Sequence, residues 1–360
     1  MKKIDKLLLL SIIIISLFGL LMIYSASSIW AEYKFNDPYK FLKTQSIFLI
    51  IGYIIIYIIS KIPYQTYLKY SNLILITCII LLILVLIPGI GTVRNGSRSW
   101  FGIGSLGIQP SEFTKLGIII FTSKYLSKNK IKDIKTSVLP ILSIVILIFG
   151  LIMLQPDFGT GMIIVVTIIV LLFISGVKLN FFIKLGVIGL IGIIGLIIIA
   201  PYRLKRIISF INPWNDPLGS GFQIIQSLYA IGPSGLLGAG LGNSIQKHFY
   251  LPEPQTDFIF SIISEELGFI GVIFLITLFI IIIYRGINIS LKQVDNFAKY
   301  LSFGLTFSIA FQTILNLMVV VGLIPVTGVT LPFLSYGGSS LLVSMTYIGI
   351  LLNISKYNKK

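Results

Sequence analysis

Near its amino terminus the chain carries the run LLLLSIIIISLFGLLMI, residues 7–23, in which no side chain is charged. A transmembrane helix needs about 20 consecutive, mostly apolar residues, and this run continues to residue 27 with few polar groups. It lacks the small-residue cleavage site of a signal peptide. We therefore predict a membrane anchor.

Further apolar runs follow along the whole chain. They lie near residues 45–60, 72–90, 110–126, 138–154, 160–177, 183–200, 258–284, 299–322 and 336–354. The 360 residues are 56% hydrophobic and 11% charged, with a mean hydropathy of +1.00. A soluble domain cannot bury so much apolar surface. We predict an all-α integral membrane protein, one polytopic domain over residues 1–360 with about ten transmembrane helices.

The basic residues predict the orientation of these helices. Eighteen Lys and Arg residues fall in or beside one set of loops, nine fall in the alternate set, and Lys115 lies within a run. Because cytoplasmic loops are enriched in Lys and Arg, both termini should be cytoplasmic. Residues 91–109 and the long segment 201–257, between helices 7 and 8, should then be extracytoplasmic. Within the latter, residues 223–231 could form a short helix at the membrane surface.

Charge and cysteine content exclude two other classes of site. The net charge is +16, but the basic residues are scattered between apolar runs rather than gathered in a patch, which argues against nucleic-acid binding. The only cysteine, Cys78, lies inside an apolar run, which argues against disulfides and cysteine-ligated metals.

Acidic residues are the rare and informative ones, because ionisable groups within membrane segments are costly and often functional. Asp257 should start helix 8 at the outer surface, where it could serve catalysis or only complement the helix dipole. Glu265 and Glu266, two turns deeper, are expected to support helix packing. The other candidates are Asp157, at the outer end of helix 5, and Glu112 with Lys115, three residues apart and more typical of a structural pair.

Four basic residues of the outer loops are candidate substrate-binding groups: Arg98, Arg203, Arg206 and Lys247. They could contact lipid headgroups, or they could form a clamp for a pyrophosphate. His248 is more typical of a loop histidine than of a metal ligand. The glycine-rich segments 102–104 and 238–242 do not open a helix after a strand, so we reject a nucleotide site.

Several motifs in order resemble the SEDS family (shape, elongation, division and sporulation), which contains FtsW, RodA and a sporulation paralogue. They include NGSRSW (95–100), QPSEFTK (109–115), QPDFGT (155–160), NPWNDP (212–217), TDFIF (256–260), EELG (265–268) and PFLSYGGSS (332–340). The resemblance covers essentially the whole chain, and the NPWNDP segment is more like the division and sporulation branch than the elongation branch.

The resemblance implies a glycosyltransferase that polymerises lipid II outside the bacterial cytoplasmic membrane. It implies a class B penicillin-binding protein as partner, alongside other division or sporulation membrane proteins, and a divalent cation, Mg²⁺ or Mn²⁺, as a possible cofactor whose ligands are unknown. Asp257 matches the family's essential carboxylate and Trp100 its loop tryptophan. Gln255 stands where the family commonly has histidine, which puts a proton-transfer role at this position in doubt.

The chemistry of such a transfer suits these groups. A carboxylate would accept the proton of the attacking sugar hydroxyl, while cations would stabilise the departing pyrophosphate. Two alternatives remain open. A lipid II flippase or transporter would concentrate polar groups near the membrane midplane and contain broken helices. An elongation-type polymerase would share the chemistry but serve another process.

Overall fold

The computed structural model describes residues 4–94, 96–103, 106–129, 137–199, 204, 208–219 and 221–358. Its helices are α1 Lys6–Phe35, α2 Lys40–Lys61, α3 Gln65–Leu84, α4 Pro110–Lys128, α5 Leu139–Met153, α6 Phe158–Ile174, α7 Leu179–Ile199, α8 Phe222–Ile231, α9 Ile259–Leu291, α10 Asn296–Val320 and α11 Gly338–Ser355. A single 3₁₀ turn, Pro213–Asn215, lies between α7 and α8.

Six of these helices are long and apolar enough to cross a membrane: α1, α2, α3, α9, α10 and α11. The others include shorter apolar helices and α4, which carries Glu112 and Lys115. Side chains such as Leu73, Ile146 and Ile191 are exposed on the outside of the bundle. A mostly helical bundle with an apolar exterior is the arrangement expected of a multi-pass membrane protein.

The fold is mostly helical, and the predicted outer loop 91–109 adds a small element that the all-α prediction did not include. It forms a small antiparallel sheet in the order β1 Thr92–Arg94, β2 Ser97–Ile103 and β3 Leu106–Ile108. Sequence reasoning missed the dipeptide Asn95-Gly96, which between two strand-like segments is a strong signal for a two-residue hairpin. Gly96 has a φ of +79°, a conformation that glycine adopts without steric cost.

The centre of the bundle is α11, which packs against α2, α4 and α10. Its buried residues include Met345, Tyr347 and Ile350.

The ends of the bundle are tied differently. At one end, Asp5, the N-cap of α1, forms an ion pair with Arg285 of α9, with Nε–Oδ2 at 2.9 Å. We call the other end, which contains the sheet, the start of α9 and the α10–α11 loop (residues 321–337), the Asp257 end.

Helix α9 is broken near its start. Gly268 has φ +63° and ψ −160°, which only glycine adopts readily. Segment 235–240 fills the break: the amides of Ala239 and Gly240 donate to the carbonyls of Glu265 and Glu266 at 2.8 and 2.9 Å. The backbone groups that the break frees are therefore satisfied by protein, as the interior of a membrane protein requires.

Candidate functional site

Asp257 lies in the turn before α9, which begins at Ile259, so its predicted place as the first residue of the helix is off by two positions. Its side chain is half-buried. Its carbonyl oxygen accepts a hydrogen bond from Asn316 Nδ2 of α10 at 2.8 Å. The same Nδ2 donates to the carbonyl of Val329 in the α10–α11 loop at 2.7 Å. One side chain thus joins three segments at the Asp257 end.

The Asp257 carboxylate faces the α10–α11 loop. A Cβ built on Gly328 would lie 3.7 Å from Asp257 Oδ2, and the φ of +73° at Gly328 requires a left-handed backbone. The amide of Tyr336, further along the loop, donates to the carbonyl of Gln255 at 2.8 Å. The turn that holds Asp257 is therefore fastened to this loop at two points, by the backbone hydrogen bond from Tyr336 to Gln255 and by the side chain of Asn316.

Gln255 departs from the family pattern and lies next to this turn. Its side chain is buried, and its Oε1 has no hydrogen-bond partner among the described residues. A side-chain amide does not ionise near neutral pH, so Gln255 cannot act as an acid or a base here. It can only donate or accept a hydrogen bond.

The sheet contributes an aromatic–cation pair, of which sequence reasoning selected Trp100 but not Arg94. The Arg94 guanidinium carbon lies 4.8 Å from the centroid of the Trp100 ring, within the range of a cation–π interaction. Arg94 is also near Tyr336 of the α10–α11 loop. Burial raises the pKa of Tyr336 above its usual value, while its hydrogen bond with Thr44 and the charge of Arg94 act in the opposite direction.

The predicted outer cations occupy different settings. Arg98 is half-buried, and its Nη1 lies 3.5 Å from the carbonyl of Leu86, beyond the end of α3. Arg203 and Arg206 lie outside the described residues. Lys247 is 4% exposed, and its Nζ forms an ion pair with Glu266 at 3.0 Å. Its ammonium is already neutralised, which argues against direct contact with a phosphate.

Glu265 and Glu266 lie just before the helix break and bind the segment that fills it. Glu266 is fully buried and accepts a hydrogen bond from Ser25 of α1 at 2.6 Å in addition to the contact with Lys247. Glu265 accepts from the amide of Ile245 at 2.7 Å. Both carboxylates are therefore satisfied internally, as a supporting role requires.

Glu112 and Lys115 form an ion pair of 2.9 Å inside the bundle, with both side chains buried. Lys115 Nζ also donates to Gln312 Oε1 of α10 at 2.8 Å. Gln312 in turn donates from Nε2 to the carbonyl of Thr330 at 2.9 Å. The pair is thus connected to the α10–α11 loop through a single amide.

Asp157 caps α6 and gathers neighbouring polar groups. Its Oδ1 accepts from the amide of Thr160 at 3.2 Å, and its Oδ2 accepts from Gln109 and Ser111 at 3.0 and 3.2 Å. Burial raises the pKa of this carboxyl above its usual value, and the nearby charge of Glu112 raises it further. These contacts favour a supporting role in holding the start of α4 against the start of α6.

These features define a class: a multi-pass membrane protein with a half-buried carboxylate at one end of its bundle, in a turn that the Asn316 side chain and the Tyr336 amide fasten to the α10–α11 loop. The chain belongs to the FtsW/RodA/SpoVE family, because the family model, described as a cell cycle protein, matches residues 5–360.

Individual relatives agree with this assignment over nearly their full lengths. The chain is 53% identical over 357 residues to stage V sporulation protein E of Bacillus subtilis, covering 99% of this chain and 98% of that one. It is 42% identical to a probable peptidoglycan glycosyltransferase FtsW of Trichlorobacter lovleyi, covering 98% and 93%. Among solved structures, a chain of a peptidoglycan synthase complex that coordinates polymerization and crosslinking superposes with a TM-score of 0.80 at 28% identity, covering 99% of both chains.

Proposed function

We propose that the chain is a peptidoglycan glycosyltransferase that polymerises lipid II at the outer face of the bacterial cytoplasmic membrane, for cell division or sporulation. The observation that carries this proposal is the half-buried Asp257, fixed through its own carbonyl and facing a glycine-lined loop at one end of a membrane bundle. The sporulation protein and the FtsW relative support the activity and the two processes.

The proposal includes a topology. Ten helices cross the membrane, both termini are cytoplasmic, and residues 201–257 form an extracytoplasmic loop of a single domain over residues 1–360. The bias of Lys and Arg residues supports this orientation. The Asp257 end would then face the side where lipid-linked sugars are polymerised.

In the proposed reaction Asp257 accepts the proton of the attacking sugar hydroxyl. The hydroxyl oxygen forms a bond to the anomeric carbon of the donor while the bond from that carbon to the pyrophosphate breaks, and the pyrophosphate leaves on its lipid. Attack from the side opposite the leaving group inverts the anomeric centre, so no covalent enzyme intermediate is needed.

The substrate-binding groups of this proposal are Arg98, Trp100, Arg203 and Arg206. Arginine matches the oxygens of a pyrophosphate with its planar set of donors, and an aromatic face suits a sugar ring or a neighbouring cation. Arg94 joins this set on the strength of its contact with Trp100. Lys247 is not included in this set, because its ammonium is paired with the Glu266 carboxylate.

A divalent cation fits the proposal only as an ion bound by one carboxylate together with the substrate. Within the described ranges no three His, Cys, Asp or Glu side chains are grouped as a metal site. Mg²⁺ commonly binds through one or two carboxylates together with substrate phosphates and water. Asp257 is the residue that would hold it, and the cation would supply positive charge for the departing pyrophosphate.

The proposed partner is a class B penicillin-binding protein, a transpeptidase that crosslinks the strands. Its support is the structural similarity to a chain of a synthase complex that coordinates polymerization and crosslinking. Other division or sporulation membrane proteins would complete the assembly.

A flippase remains the second candidate because of one observation. Helix α9 is broken at Gly268, directly after two buried carboxylates, and broken helices with intramembrane charges are features of transporters. Segment 235–240 nevertheless fills the break, and Ile245 and Lys247, which follow it, bond to Glu265 and Glu266, so both carboxylates are engaged in structure.

The test is polymerisation of purified lipid II, with and without the partner, by the wild type and by Asp257→Asn. The amide keeps the size of the side chain but removes the charge, so glycan synthesis should fall at least about 100-fold. Folding and partner binding should be retained. Near wild-type synthesis by the variant would refute the role of Asp257. A wild type that translocates lipid II without polymerising it would favour the flippase.

A further inference from the structure

Helix α10 presents two amides one turn apart, and both are almost completely buried: Gln312 is 4% exposed and Asn316 1%. Both donate to successive carbonyls of the α10–α11 loop, Gln312 to Thr330 at 2.9 Å and Asn316 to Val329 at 2.7 Å. The path of the loop past the site is therefore fixed from the helix beneath it.

The orientation of each amide follows from the chemistry of its neighbours. Lys115 can only donate, so the group of Gln312 that faces it must be the oxygen, and the nitrogen must face Thr330. Asn316 has carbonyls of both Asp257 and Val329 within reach, and only its nitrogen can bond to them. The Glu112–Lys115 ion pair thus fixes the orientation of the Gln312 amide, whereas Asn316 itself binds the backbone carbonyl of Asp257.

Stability alone does not account for Asn316. Its Oδ1 is buried without a hydrogen-bond partner among the described residues, which is unfavourable for folding. The residue gives two hydrogen bonds from one nitrogen and leaves the other end of its amide unpaired. This arrangement indicates that the two hydrogen bonds donated by the Asn316 nitrogen are needed for something other than stability.

We infer that Asn316 is a positioning residue for Asp257, which sets the direction of its carboxylate by holding its carbonyl together with that of Val329. This inference rests on the proposed function. Asp257 precedes the first turn of α9, so the rotation of its peptide is not fixed by the helix. Small displacements of a catalytic group cost as much as about 100-fold in rate.

The test compares Asn316→Ala with Asn353→Ala. Asn353 is also a buried amide, 2% exposed, that donates to the Ser60 carbonyl at 2.8 Å and accepts from the Tyr64 amide at 3.1 Å, at the opposite end of the bundle. With lipid II and the partner, Asn316→Ala should lower kcat about 100-fold and leave KM within about twofold. Asn353→Ala should keep the wild-type kcat in its folded fraction.

Asn316→Ser retains one donor and should give an intermediate kcat, and it replaces the alanine variant if that variant does not fold. Equal kcat values for the Asn316 and Asn353 variants would overturn the inference.

Amide hydrogen exchange gives a readout that does not depend on activity. Peptides that cover residues 255–258 and 326–337 should exchange faster in Asn316→Ala or Asn316→Ser than in the wild type, and they should be unchanged in Asn353→Ala. Unchanged exchange at both segments would overturn the positioning role. A wild type that fails to polymerise lipid II would refute the proposed function, while the exchange experiment would still decide whether Asn316 orders the turn.

Discussion

Lys115 and Lys247 are both buried, and each lies about 3 Å from a carboxylate, Glu112 and Glu266 respectively. Their environments differ beyond that contact. Lys115 bonds to a side-chain amide that supports the α10–α11 loop, whereas Lys247 bonds to Ser25 of α1 and to the backbone of its own segment. One pair is connected to the Asp257 end through α10, and the other fastens a loop to a broken helix.

Glu112→Gln should destabilise the protein, because it leaves the Lys115 ammonium buried without its counter-charge. Removal of one partner of a buried pair costs about 3–5 kcal/mol. The measurement is the folded yield and the thermal unfolding temperature in detergent. The double variant Glu112→Gln with Lys115→Met removes both charges and should recover much of the loss. Stable single variants that lack activity would instead indicate a direct catalytic role.

The sequence identified the acidic residues of the candidate site but not their surroundings. Rare carboxylates in apolar runs are visible without a structure, and this was enough to select Asp257, Glu112 and Glu266. The ion pair of Lys247 was not foreseen because its partner, Glu266, is 19 residues away in the sequence and lies at the break in α9. Asn316 was missed because an amide within an apolar helix carries no charge to draw attention to it.

At the scale of elements, the helices were predictable and their interruptions were not. Apolar runs indicate where helices lie, although α3 spans Gln65–Leu84 rather than residues 72–90. The short helix predicted at residues 223–231 is present as α8, Phe222–Ile231. The break in α9 depends on a contact between Gly268 and segment 235–240. A hydropathy profile cannot detect a contact between segments that are distant in the sequence.

Gly268→Ala should prevent this break from forming correctly. A Cβ at Gly268 would lie 2.4 Å from the backbone nitrogen of Gly238 and 2.6 Å from backbone atoms of Leu236, which cannot move aside as a flexible side chain can. The backbone conformation alone costs an alanine about 1–3 kcal/mol. The folded fraction on size-exclusion chromatography should therefore fall.

The matched control is Gly150→Ala in α5, where a Cβ would meet no atom within 4 Å. Because alanine is a better helix former than glycine, by about 1 kcal/mol, this variant should fold as well as the wild type. A Gly268→Ala protein with wild-type yield would mean that the break is not needed for folding.

At the scale of the molecule, the proposed orientation can be tested with cysteines, because Cys78 is buried and should not react. Leu218 and Val294 are 88% and 73% exposed and lie at opposite ends of the bundle. In intact cells without their wall, a membrane-impermeant maleimide should label Leu218→Cys but not Val294→Cys. Val294→Cys should react only after permeabilisation. The reverse pattern would invert the topology.

The central place of α11 has a consequence for biosynthesis. The helix around which α2, α4 and α10 pack is the last of the described helices in chain order, and its contacts with α2 join residues nearly 300 positions apart in the chain. In the bilayer, the surfaces of the earlier helices that pack against α11 lack this partner until residues 338–355 are inserted. Nascent chains that stall before this point should be recognised by membrane proteases, and assembly of the site is therefore a late event in the synthesis of this bundle.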